Sequence, residues 1–282
     1  MARQRRRLAT LGQTPWLYQE LAQRMAERLD WIKLEPERLL LWDGLLGGGH
    51  AALRARYPKA DILWAETEGR AAAEASLRGP WWQPWKRMPE RVLSPADVEP
   101  GTLQVVWASL GLLGAAEPDR LFKAWARALA PQGFVLFSSL GPDSFKELRA
   151  LYAEAGWGAV TPAWIDLHDL GDALLHAGFS EPVMDQERLT LTWADAASLW
   201  RDLQALGGNI ASDRHPGLRT RRWRQAWETR VGQALRQPDG RLALTLEFVC
   251  GHALKPQPRL PGESTVPLSA LKDQLAQRRK PY

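Results

Sequence analysis

Four short, unbroken apolar runs in the first half of the chain constrain its fold more than any other feature. Residues 38–43 (RLLLWD), 61–66 (DILWAE), 104–109 (QVVWAS) and 133–139 (GFVLFSS) each have strand length with little polar interruption. A strand with one face in water alternates apolar and polar residues. A strand buried on both faces does not, and that is how a parallel sheet covered by helices reads. Segments of helical character lie between the runs, at 51–57, about 69–77 and 119–129. This alternation predicts an α/β fold with a doubly wound, mostly parallel sheet, and 282 residues suffice for one such unit with an insertion.

The flanking segments complete the outline. Leu17, Leu21, Met25, Leu29 and Ile32 recur at helical spacing among Glu20, Arg24 and Arg28, which predicts an amphipathic helix leading into the sheet. The Pro- and Trp-rich stretch 79–89 reads as a surface loop, with a short strand at 91–93 after it. Residues 166–177 read as a helix with Asp166 at its start and Gly178 just past its end, the expected capping asymmetry. The late runs 183–192 and 242–251 alternate, which predicts an antiparallel edge. Between them, 193–240 reads as a helical, Arg-rich insertion. The expected layout is one unit over 1–255 and a charged, Pro-containing tail over 256–282, without internal repeats.

Composition narrows the function classes. The single cysteine, Cys250, excludes an intrachain disulfide and a multi-cysteine metal site, and its apolar neighbours mark it as a core thiol. The five His have no metal-ligand spacing, so no metal is expected. Met1–Arg7 carries four Arg with no apolar stretch after it, so no secretory signal is read. No run approaches the roughly 18 apolar residues of a membrane span, so a cytoplasmic protein is expected. The net charge of +5 is concentrated: residues 214–236 hold seven Arg and one acid, Glu228. That pattern suits a docking patch for an acidic partner or a solvated helix face. A nucleic-acid partner would rest on charge alone and is not expected. The 15 Trp outnumber Phe and Tyr together, and several sit beside Arg, where they can stack on ligands or pack.

The chemistry-bearing segment is Trp42-Asp43-Gly44-Leu45-Leu46-Gly47-Gly48-Gly49, between the first strand and a helix. Glycines let a backbone approach a ligand closely, and in a doubly wound sheet this turn lies at the ligand crevice. Glu66 ends the second strand 23 residues after Asp43, where an acid can accept from ribose hydroxyls. G-x-G-x-x-G and Gly-Lys-Ser/Thr are both absent, against a dinucleotide fingerprint and a phosphate loop.

Several further blocks carry a family likeness: Arg24-Met25-Ala26-Glu27-Arg28-Leu29-Asp30, Phe137-Ser138-Ser139-Leu140-Gly141-Pro142-Asp143-Ser144, Ile165-Asp166-Leu167-His168-Asp169-Leu170-Gly171-Asp172, Asp185 with Glu187-Arg188-Leu189-Thr190, and Glu247-Phe248-Val249-Cys250-Gly251-His252-Ala253. With them the chain, from about residue 14 to 256, resembles the class I S-adenosylmethionine-dependent methyltransferases. Within these it resembles the malonyl-acyl-carrier-protein O-methyltransferases of biotin synthesis. The resemblance implies a Rossmann-like methyltransferase fold, S-adenosyl-L-methionine as cofactor and an acidic acyl carrier protein as substrate carrier. It implies cofactor-binding roles for Asp43, Gly47, Gly49, Glu66, Asp97 and Ser109. The chain departs from the family's acid-x-Gly-x-Gly-x-Gly pattern by placing Leu45 at the first glycine, where a positive φ would cost about 1 kcal/mol or more.

Methyl transfer to a carboxylate needs no nucleophile on the protein, so positioning and desolvation carry catalysis, and no catalytic residue is assigned. A cationic clamp for a malonyl carboxylate falls to Arg149 or to the cluster holding Arg219 and Arg222, an alternative the sequence leaves open. His168, beside Asp169, reads as a helix-capping or a catalytic residue. Two other readings remain: a degenerate methyltransferase-fold binding or assembly factor, motivated by Leu45, and a methyltransferase with a different substrate.

Overall fold

The computed structural model describes residues 14–67, 71, 73, 74, 77, 90–113, 115 and 117–258. The arginines of 1–7, most of the expected helix at 69–77, the loop 79–89 and most of the tail lie outside the described residues. Seven strands form one sheet: β1 (Arg38–Trp42), β2 (Asp61–Ala65), β3 (Arg91–Leu93), β4 (Leu103–Ala108), β5 (Leu129–Leu140), β6 (Ser180–Trp193) and β7 (Leu242–Leu254). Their order is β3-β2-β1-β4-β5-β7-β6. The first five pair in parallel, and β7 runs antiparallel between β5 and β6.

This is the arrangement the burial pattern required. In β1 four of five residues are buried, as the unbroken apolar run demands. Along β6 half-buried and exposed residues alternate, as the sheet edge allows. The expected break between helix and strand near residue 133 lies earlier. Pro131 cannot continue a helix, and Leu129 already pairs with Leu103. Gln132 N–H then donates to Lys255 O (2.8 Å) and Lys255 N–H to Gly133 O (2.7 Å), which adds the strand's first turn to the sheet.

Helices cover both faces. On one lie α1 (Trp16–Ala26), α5 (Lys146–Glu154), α7 (Ala196–Ala205) and α8 (Arg221–Ala234); two further pieces, α2 (Gly44–Gly47) and α3 (His50–Arg56), follow β1. This face buries Leu21, Met25, Trp107, Trp227 and Phe248 together. The other face carries α4 (Pro118–Ala128) and α6 (Leu167–His176). Phe122 and Trp125 of α4 are fully buried, and Phe122 meets Phe137 of β5 edge-on with centroids 5.3 Å apart. Each such side chain contributes about 1.5–3 kcal/mol by leaving water. The 17–34 periodicity resolves into α1 plus a 3₁₀ turn at Glu27–Trp31. The insertion supplies α7 and α8, with a non-helical segment at 206–220.

Candidate active site

Asp43 leaves β1 in the left-handed region (φ 47°) and caps the wound turn α2. Asp tolerates that conformation better than most residues, because its short side chain bonds locally. Here Thr67 N–H and Oγ1 both donate to Asp43 Oδ1, at 3.0 and 2.6 Å. The positive φ therefore falls on Asp43, Gly48 and Gly49, and Leu45 escapes the strain its position threatened. Leu45 is 5% exposed and belongs to the core. Its N–H donates to Glu66 Oε1 at 2.9 Å, and its carbonyl accepts from Thr14 Oγ1 at 2.8 Å.

The glycines are explained by contact. A Cβ on Gly47 would lie 2.3 Å from Ser109 O, at the end of β4. One on Gly49 would lie 2.5 Å from the Trp107 indole nitrogen, which donates to Gly48 O (3.1 Å). Asp43, Gly47, Gly49, Glu66 and Ser109 thus gather at the C-terminal ends of β1, β2 and β4. Ser109 is 1% exposed, and its hydroxyl has no partner among the described residues. Asp97 is exposed in the 3₁₀ turn Pro95–Asp97, which follows β3, the strand beside β2.

Beyond the ends of β4 and β5 opens a cavity of about 290 Å³, roofed by the insertion. Leu17 and Tyr18 of α1, Leu140, Phe145 and Tyr152 form apolar and aromatic walls. Arg219 brings a cation to it: the guanidinium lies 4.4 Å over the Trp223 ring, donates to Trp157 O, and leaves further donors. Three donors on lining residues, Thr161 Oγ1 and the indole nitrogens of Trp164 and Trp223, are buried without a partner among the described residues. Burial pushes the Tyr152 hydroxyl up to about 12, and it raises Tyr18 as well. Both phenols stay protonated at neutral pH and can donate hydrogen bonds but not act as bases.

Of the three arginines read from the sequence, only Arg219 lines this cavity. The Arg149 guanidinium is tied to Pro142 O, and its side chain borders an adjoining depression with Asp213 that shares Tyr152, Val160 and Thr161 with the cavity. Arg222 is exposed on the first turn of α8. His168 is exposed and outside the cavity; its N–H and Nδ1 both contact Asp166 Oδ1 at 2.8 Å, a helix cap. Cys250 is buried, with its thiol pushed up to about 12 by desolvation, an inert core residue. Among the described residues no cluster of His, Cys, Asp or Glu could hold a metal ion, and no helix is long and apolar enough to cross a membrane.

Four of the five blocks that carried the family likeness meet in space, the exception being 165–172 on the other face of the sheet. Arg24 Nη1 binds Glu187 Oε1 (2.6 Å) and Arg28 pairs with Asp185, tying α1 and the 3₁₀ turn after it to β6. Buried Glu247 accepts from Asp143 N–H (2.8 Å), and Ser144 Oγ donates to Glu247 O (3.1 Å), fixing the loop after β5 beside the cavity. No family model matches the chain, but individual proteins do. A malonyl-[acyl-carrier protein] O-methyltransferase from Laribacter hongkongensis is 39% identical over 265 residues, covering 90% of this chain and 88% of that one. The chain belongs to this family. A second member, from Methylovorus sp., is 36% identical over 86% of this chain and 84% of its own length. Among solved structures, the YcgJ protein of Bacillus subtilis superposes with a TM-score of 0.56 at 10% identity, over 85% of this chain and 99% of that one. That likeness shows the fold, and it is the methyltransferase-like fold the family membership requires.

Proposed function

We propose that the chain transfers a methyl group from S-adenosyl-L-methionine to the free carboxylate of a malonyl group carried on an acyl carrier protein, a cytoplasmic step of biotin precursor synthesis. The observation that carries this reading is the half-buried Arg219 at a cavity with apolar and aromatic walls, beyond the ends of β4 and β5; Arg214, the other arginine lining it, is exposed. The residues at the turn fit the cofactor's nucleoside part. Two carboxylates stand at neighbouring strand ends, and the Ser109 hydroxyl beside the glycine turn is buried with no partner among the described residues. When bound, the cofactor supplies an electrophilic sulfonium methyl group.

The chain's own residues account for the rest. Glu66 accepts from ribose hydroxyls, with Asp43, Gly47, Gly49 and Ser109 around it. Arg219 holds the malonyl carboxylate through its fork of donors, while its stacking on Trp223 fixes the guanidinium plane. The carboxylate is already ionised at neutral pH, so no general base is needed. The apolar walls exclude water from it, which strengthens its pairing with Arg219 and strips the hydration that would blunt its attack. Arg222 and its neighbours on α8 attract the acidic carrier and speed encounter. Residues 1–255 serve as one catalytic unit in this reading, with 193–240 as its substrate-side insertion.

The Leu45–Glu66 contact favours a second reading, in which the chain binds the carrier-borne substrate without transferring a methyl group. Expression in a biotin auxotroph lacking its malonyl-carrier methyltransferase tests the choice. Growth without biotin supports the enzyme, and failure of a folded, soluble chain to restore growth counts for the second reading.

A further inference from the structure

The carboxylate best placed to receive a nucleoside is already in use. Glu66 is 3% exposed and its Oε1 takes the Leu45 N–H at 2.9 Å, inside the core. The Leu45 side chain is packed among apolar residues, and Thr14 Oγ1, just before α1, grips its carbonyl at 2.8 Å. Side chain, N–H and C=O of one residue therefore hold the turn wound as α2. The neighbouring Leu46 is equally buried, but its N–H goes to Asp43 O (3.1 Å) and leaves Glu66 alone.

We propose that Leu45 sets the cofactor affinity of this chain: it latches the Gly44–Gly47 turn in a wound form whose N–H competes with ribose hydroxyls for Glu66. The inference rests on the cofactor reading above and makes Leu45 a positioning residue acting through Glu66. A hydrogen bond to a charged acceptor is worth roughly ten- to a hundredfold in binding, and the latch sets that amount against the ligand. Glycine at position 45 keeps the N–H but removes the packed anchor and widens the accessible backbone conformations, so the turn can yield Glu66 to the ligand.

Isothermal calorimetry with S-adenosylhomocysteine tests this on the full chain. Leu45→Gly is expected to bind at least about tenfold more tightly than the unaltered chain while melting at a lower temperature. Thr14→Val, which leaves the core intact, is expected to tighten binding a few-fold. Leu46→Gly loses a comparable buried side chain and is expected to gain no affinity. Adding Glu66→Gln to Leu45→Gly is expected to reverse the gain. Equal affinity in the unaltered chain, Leu45→Gly and Thr14→Val overturns the latch and leaves the cofactor site standing. A gain in Leu46→Gly equal to that in Leu45→Gly overturns it too, since general loosening would then suffice. If none of the chains binds at millimolar ligand, the cofactor reading falls together with the latch. Should Leu45→Gly fail to fold, the Thr14→Val comparison decides alone.

Discussion

Replacing Gly47 by alanine tests how the candidate cofactor turn is built. The added Cβ would stand 2.3 Å from Ser109 O and 3.2 Å from its carbonyl carbon, both backbone atoms that cannot rotate away. Gly47 is not in the left-handed region, so its glycine is required by space and not by φ. Overpacking of this kind costs about 1–3 kcal/mol, and the gain from alanine in a helical turn offsets about 0.5–1 kcal/mol of it. A 2.3 Å approach to fixed backbone puts the cost at the upper end of that range, so the net loss is about 2–2.5 kcal/mol, a drop of roughly 4–10 °C in melting temperature for a chain of this size. Gly232 is the internal control. It lies within α8, and a Cβ there meets nothing within 4 Å. Gly232→Ala is expected to raise the melting temperature by roughly 1–4 °C. Differential scanning calorimetry without ligand measures both. A Gly47→Ala chain as stable as the parent would refute the close approach of the turn to β4. Its glycine would then serve ligand access alone.

Other outcomes follow from the same structure. Arg219→Gln is expected to raise KM for malonyl carrier protein about tenfold or more, the worth of a charge-assisted bond, while S-adenosylhomocysteine affinity stays unchanged; steady-state kinetics beside calorimetry check it, and a matching loss of both would assign Arg219 a folding role. Arg24→Ala removes a pair whose partners are 32% and 39% exposed, so urea titration is expected to show a loss below about 1 kcal/mol that shrinks in high salt. Burial holds His252 below its ordinary value of 6.5. As pH falls below 6.5 the unfolded chain takes up a proton before the folded chain does, so stability should decline in that window and His252→Gln should flatten the decline. A parent and variant with the same pH profile would remove His252 from the account.

The sheet was legible because its signal is local: β1, β2, β4 and the core of β5 are unbroken apolar runs, and β6 alternates. The acids at the ends of β1 and β2 followed from the same reading. The conformation of the turn did not, because winding α2 depends on Glu66 and Thr14, which lie 21 and 31 residues from Leu45. That Arg219, and neither Arg149 nor Arg222, lines the cavity is a property of the tertiary fold. The cavity joins α1, the end of β5, α5, the 160–164 segment and the insertion, and no local pattern links these. Its one trace in the sequence was the excess of Trp near Arg. Trp223, under Arg219, lines the cavity, whereas Trp227 is fully buried, so the same composition covers both cavity-lining and packing positions.

The central claim is methyl transfer to a carrier-bound carboxylate. Its most direct test incubates the purified chain with S-adenosyl-L-methionine and malonyl acyl carrier protein and follows the carrier by intact-mass spectrometry. The account predicts a carrier heavier by one methyl group, formed on malonyl carrier but not on the acetyl form that lacks the free carboxylate. A folded chain that leaves malonyl carrier unchanged, or methylates both forms alike, would contradict it.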